Sequence, residues 1–212
     1  MAETDRLPEG ITNAYAFALF NALSFQMVLA GPMVLYAKSL GASSTILGLV
    51  AGLMPIMTIA QIPAAQFIPR VGYKRFVLGG WSTRVGFIFL MSLVPLLTGF
   101  LNAGSRLALI IALLFAFNLS RGLSSCAWLP WITHLVPASV RGRYLGVDQL
   151  CTNGASIAAF VFAAFMLGNQ ADPWQFTAFF LFSGAAGFVS LLFLRRIPDV
   201  PAPENEDGGK GP

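Results

Sequence analysis

STILGLVAGLMPIMTIAQIPAAQ, residues 44–66, carries no charged side chain, and FIPRVGYKR, residues 67–75, then sets Arg70, Lys74 and Arg75 in a short connector. The chain turns apolar again across residues 76–97. A run of about 20 apolar residues is long enough to cross the hydrocarbon core of a bilayer as a helix. Two such runs joined by a basic connector read as a transmembrane hairpin whose turn is cytoplasmic, because Lys and Arg collect on that side. Working outward, residues 14–37, 107–129, 145–167 and 174–194 have the same character. With the hairpin they make six predicted spans.

The cations orient the set. With the N-terminus inside, the inner segments hold Arg6, Arg70, Lys74, Arg75, Arg141, Arg143, Arg195, Arg196 and Lys210. The outer loops hold only Lys38 and Arg106. Both termini are therefore expected in the cytoplasm, and the expected fold class is an all-α polytopic membrane protein. Composition agrees: 56% of the 212 residues are hydrophobic and 10% charged, against about 25% charged in soluble domains. The net charge of +4 could suggest a polyanion. The cations are divided among short loops and form no stripe, so membrane lipid and no nucleic acid is the expected partner. Cys126 and Cys151 fall in or beside spans and read as free thiols. The acidic opening, Met-Ala-Glu-Thr-Asp, lacks the basic start of a secretory signal, so the first span is expected to remain as a helix.

Residues 1–12 read as a polar tail, with Thr12 or Asn13 capping the first helix. Residues 13–196 form the bundle. From residue 197 to 212 the composition shifts to Pro, Glu, Asp and Gly, above all from Pro201 onward, and a disordered cytoplasmic tail or linker is expected. Gly31-Pro32 predicts a kink, which bundles tolerate. Gly48 and Gly52 form a G-x-x-x-G pair, suited to packing inside the bundle or to an interface with another subunit. Asn102-Ala103-Gly104-Ser105 and Asp172-Pro173 mark turns.

Charges inside a bilayer are expensive and mark function by default. At about 1.5 Å per helical residue, Arg84, Arg121 and Asp148 all fall in one layer on the cytoplasmic side. An Arg121–Asp148 pair with Arg84 nearby is expected. It is either an anion-binding or proton-coupling site, or a buried salt-bridge network that holds the bundle. Polar residues at helical spacing mark wet faces: Asn118, Arg121, Ser125 and Trp128 in the fourth span, Gln149, Asn153 and Ser156 in the fifth. Asn21 and Gln26 are the candidates in the first. The sixth span has only Thr177, Ser183 and Ser190, and is expected to face lipid, whereas Trp81 and Arg84 should turn inward. Trp128, Trp131 and Trp174 near span ends are expected interfacial anchors. His134, alone of its kind, cannot build a metal site, so neither metal nor other cofactor is expected.

Three stretches resemble the N-terminal half of a major facilitator superfamily transporter. They are Leu40-Gly41-Ala42-Ser43 with Ile46-Leu47-Gly48-Leu49, the connector Pro69 to Arg75, and Val136-Pro137 with Arg141-Gly142-Arg143-Tyr144-Leu145-Gly146. The connector is similar to the family's Asp-Arg-x-Gly-Arg-Lys signature through Arg70, Gly72, Lys74 and Arg75. The signature's Asp falls at Pro69 and its upstream Gly at Ala65, which puts the family's cytoplasmic latch between halves in doubt. Arg121 fits the Arg-x-x-Gln-Gly motif of family antiporters, but Ser124 and Ser125 replace its last two residues. The fifth span has Gly154 but no proline, so drug antiport is not implied.

The resemblance implies half of a secondary active transporter, moving a small solute by alternating access in a membrane, the bacterial inner membrane being expected. Family members have twelve helices in two halves with the solute between them. A second six-helix half is therefore expected, as a separate chain or a second copy. The alternative is a non-transporting half-bundle, either a remnant or a subunit. An intramembrane protease is a further alternative, since Gly122-Leu123-Ser124-Ser125 resembles a rhomboid Gly-x-Ser-Gly. His134 follows on the same helix about 15 Å away, beyond the reach a nucleophile needs, so no catalytic residues are expected. Neither the Asn-Pro-Ala repeats of aquaporins nor the Pro-x-Asp/Glu-x-x-Lys/Arg repeats of mitochondrial carriers are present.

Overall fold

The computed structural model describes residues 7–29, 31–168 and 171–201, and the regular structure among them is entirely helical. Arg6, Lys210 and the tail expected over residues 202–212 lie outside the described residues. Among the described residues, six helices are long and apolar enough to cross a membrane. They are Thr12–Ser39, Ser44–Ala65, Tyr73–Gly99, Ala103–Leu135, Ala138–Leu167 and Pro173–Leu194, numbered here helix one to helix six.

The helices overrun the apolar windows where a charged turn continues the coil. Helix three starts at Tyr73, which brings Lys74 and Arg75 into its first turn instead of the connector. Helix five starts at Ala138, directly after Pro137, so Arg141 and Arg143 are helical too. A hydropathy window measures the apolar slab, whereas a helix continues until a backbone signal stops it. Those signals are local. Ser43 Oγ accepts from the Ile46 amide at 3.3 Å, Asn102 Oδ1 from the Ser105 amide at 2.8 Å, and Asp172 forms a capping box with Gln175. Between helices two and three the chain reverses at Gly72, whose φ of +85° is the left-handed region that a side chain opposes. Helix one is described over Thr12–Leu29 and Gly31–Ser39.

Helix one is central and packs on helices five and six; helix six packs on helix three, three on four, and four on two. Small residues set how close the backbones come. A side chain at Gly187 of helix six would meet Ser24 of helix one and Val85 of helix three, and one at Gly122 of helix four would strike the backbone at Met57 of helix two. Two hydrophobic clusters result. One gathers around Met33, Tyr36, Phe117 and Phe179. The other, at the end where the described chain begins and ends, gathers around Ile11, Trp131, Tyr144 and Ile197.

Helix six, whose sequence predicts a lipid-facing helix, is deeply packed: Phe180, Ser183, Gly187 and Ser190 lie on its buried side. Ser183 Oγ donates to the Ser24 carbonyl of helix one at 2.8 Å. An apolar stripe cannot distinguish a lipid neighbour from a helix neighbour, because both are hydrocarbon. Trp131 is wholly buried instead of interfacial, and its Nε1 donates to the Pro198 carbonyl at 3.1 Å. That bond, with the burial of Ile197, fixes the start of the segment read as disordered from residue 197. Gly48 meets nothing within 4 Å and Gly52 only Ile56 of its own helix, so the G-x-x-x-G face is not used inside the bundle. Helix two is the least covered span, and helix five follows it.

Candidate functional site

Asn21 of helix one organises the polar interior. Its Oδ1 accepts from Trp81 Nε1 at 3.1 Å and from Arg84 Nη2 at 3.0 Å, both on helix three. The two donors are nearly one helical turn apart, so one acceptor reaches both. Arg84 is only 5% exposed. Its guanidinium carbon lies 4.5 Å from the Trp81 ring centroid and 5.4 Å from that of Phe117, which gives the cation two ring faces. Its Nε has no hydrogen-bond partner.

Arg121 enters from helix four, half-buried, with its guanidinium 4.9 Å from the Phe25 ring centroid. Among the described residues, its guanidinium has no hydrogen-bond partner and neither arginine has an ion-pair partner. Asp148 enters from helix five, and its Oδ1 is buried without a hydrogen bond. One turn earlier, the Tyr144 ring stacks on Tyr15 of helix one at 5.3 Å. Arg84, Arg121 and Asp148 all line one cavity of about 270 Å³. Asn21, Gln26 and Ser125 line it too, together with the aromatic rings of Phe17, Phe25, Trp81 and Trp128. Along helix one the cavity spans residues 17 to 26, between Phe17 of one hydrophobic cluster and Met27 of the other.

Polar struts brace it. Gln26 Nε2 donates to Ser156 Oγ of helix five at 3.0 Å, and Gln61 Nε2 of helix two to Ser125 Oγ of helix four at 2.8 Å. Trp128 belongs to an aromatic group, 4.9 Å from Phe17 and 5.9 Å from Trp131 between centroids. It is a cavity wall and not the interfacial anchor that its position suggests.

The sequence candidates separate into four places. Asn21, Gln26, Arg121, Ser125, Arg84 and Asp148 meet in the cavity. The direct Arg121–Asp148 pair is not formed among the described residues; the three charges share a space without touching. Asn118, one turn from Arg121, is 1% exposed; its Nδ2 donates to the Leu114 carbonyl at 2.8 Å, its Oδ1 is buried without a partner, and it does not line the cavity. Gln149 and Asn153 are exposed and bond each other at 2.9 Å, on the uncovered side of helix five. The cavity stripe of helix five is instead Asp148 and Thr152. Sequence reasoning missed Thr152; its position one turn beyond Asp148 was the available signal.

The connector residues lie apart from the cavity, at the joint of helices two and three: Arg70 and Arg75 are exposed, Lys74 half-buried, and Gly72 forms the reversal. Ser124 Oγ is spent on the Ser120 carbonyl at 2.8 Å, and His134 Nδ1 lies 2.8 Å from the Pro130 carbonyl, each within its own helix. Arg141 Nη2 donates to the Thr133 and Val136 carbonyls at 2.8 and 3.2 Å. It clamps the end of helix four to the start of helix five. Among the described residues, no three His, Cys, Asp or Glu side chains gather as metal ligands would.

The chain's sequence matches the family model described as Major Facilitator Superfamily over residues 14–212. It is also similar to the probable galactarate/D-glucarate transporter of Escherichia coli (strain K12), with 30% identity over 140 residues. That match covers 66% of this chain but 29% of the relative, so the chain spans well under two thirds of the protein it resembles. No solved structure matches the chain.

Proposed function

The chain belongs to the major facilitator superfamily, and on that premise we propose that it forms one wall of a solute pathway, half of a secondary transporter working by alternating access. It is an integral membrane protein of a transporter family, and no enzymatic step is assigned to it. The observation that carries the reading is the cavity where Arg84, Arg121 and Asp148 converge from helices three, four and five without ion-pairing. Charges held at membrane depth and left unneutralised serve transport better than they serve packing.

A second six-helix unit, a separate chain or a second copy, covers the exposed side of helices two and five and supplies the opposite wall. Open Gly48 and the outward Gln149–Asn153 pair support this. The orientation with both ends cytoplasmic rests on the placement of the cations, and the bacterial inner-membrane location on the compact loops and the family likeness. The relative's printed cargo makes galactarate and D-glucarate the first solutes to assay.

A second reading is favoured by the two hydrogen bonds on Asn21: a polar network that only joins helices. Cysteine accessibility separates the two. In a background with Cys126→Ser and Cys151→Ser, Ser125→Cys in nanodiscs should react with water-soluble methanethiosulfonates. Ser183→Cys, at a fully buried site, should not. A Ser125→Cys as inert as Ser183→Cys would leave only the structural network.

A further inference from the structure

The cavity holds an imbalance that the pathway reading leaves unexplained. Two guanidiniums and one carboxylate face it, one positive charge in excess. Burying an unpaired charge costs several kcal/mol after relaxation, and packing alone gains nothing from keeping two. Arg84 is held rigid by Asn21 and two aromatic rings, yet its Nε is left without a partner. Arg121 has a ring beneath it and, among the described residues, no acceptor for its guanidinium. Unspent N–H donors on positioned guanidiniums match a carboxylate, which can accept two parallel hydrogen bonds from such a fork.

We propose that this pathway admits small organic carboxylate anions, with the carboxylate seated between Arg84 and Arg121. The inference rests on the transport reading above and adds the class of cargo. Gln26 on the cavity wall keeps its amide oxygen and one N–H beyond the bond to Ser156, and offers them to a hydroxylated carbon chain. Trp128 supplies a flat face for its C–H groups. Asp148, on the helix-five side, repels a carboxylate placed beside it and so turns the bound carboxylate toward the arginines.

The test compares two thiol reagents of opposite charge at Ser125→Cys in the cysteine-free background described above. These are the 2-sulfonatoethyl and the 2-trimethylammonioethyl methanethiosulfonates, each rate divided by that for free 2-mercaptoethanol. A cavity with this field should favour the anionic reagent at least about tenfold. Arg121→Gln should abolish the preference, and Arg121→Lys, which keeps the charge and the fold, should retain most of it. D-gluconate should slow the modification, whereas D-glucitol, the same carbon chain without the carboxylate, should not. Equal normalised rates, a cationic preference, or equal protection by glucitol would overturn the carboxylate assignment while leaving the pathway standing. Reaction with neither reagent would overturn the pathway and the cargo together.

Discussion

At the scale of single residues, Asn21 decides how two buried groups of helix three are held. Its one oxygen satisfies the Trp81 indole and the Arg84 guanidinium, so Asn21→Leu strands both donors. A hydrogen bond to a charged group is worth about 1.5–3 kcal/mol, whereas neutral bonds between membrane helices average about 0.6 kcal/mol. Asn21→Leu should therefore cost about 2–3 kcal/mol in reversible unfolding in mixed micelles, and Trp81→Phe under about 1 kcal/mol. Equal small losses for both would show that Asn21 does not hold Arg84. Arg141 is the comparable residue at the helix four–five joint: Arg141→Ala frees the Thr133 and Val136 carbonyls and should cost about 1–2 kcal/mol in the same assay, no loss arguing against the clamp. The inward turn of Arg84 was legible in the sequence, because a guanidinium cannot rest against lipid. The missing Arg121–Asp148 contact was not, because depth along a helix fixes a layer and says nothing of which rotamers meet within it.

At the scale of elements, the glycines separate faces that are closed from faces that are open. Gly122 abuts the helix two backbone at Met57, while Gly48 on helix two meets nothing. Gly122→Val should push helix two off helix four and sharply lower the yield of folded protein in size-exclusion profiles. Gly48→Val should leave folding of the chain by itself unchanged. The reverse order would place the bundle's close contacts elsewhere. Periodicity put Asn118, Arg121, Ser125 and Trp128 on one face of helix four; the last three line the cavity and Asn118 does not. It failed on helix five because Gln149 and Asn153 look more polar than Thr152. That helix seats its small residues Ala155, Ala159 and Ala163 against the bundle, and the same turn of the helix carries Asp148 and Thr152 inward. The two amides are left outside, paired with each other. Helix six misled for the opposite reason, since tight helix packing and lipid contact select the same apolar residues.

At the scale of the whole molecule, six spans, their order and their connectors were readable from apolar runs and cation placement, because a bilayer imposes a length and a sidedness on any helix that crosses it. The docking of residues 197–200 was hidden by their composition; it depends on Trp131 and Ile197 finding each other across the fold. The cation placement also makes a topological prediction. Green fluorescent protein fused after the C-terminus should fluoresce in Escherichia coli, and alkaline phosphatase at the same position should be inactive. An active phosphatase would invert the orientation. The central claim is that the uncovered side of helices two and five belongs to a pathway and its second wall, not to lipid. A nitroxide spin label at Asn153→Cys in the cysteine-free chain, in nanodiscs, tests it most directly through collision with water-soluble nickel chelate and with oxygen. The account predicts either ready access by the nickel chelate or an immobilised label covered by a second unit. A mobile label reached by oxygen and shielded from nickel would place that face in lipid and contradict it.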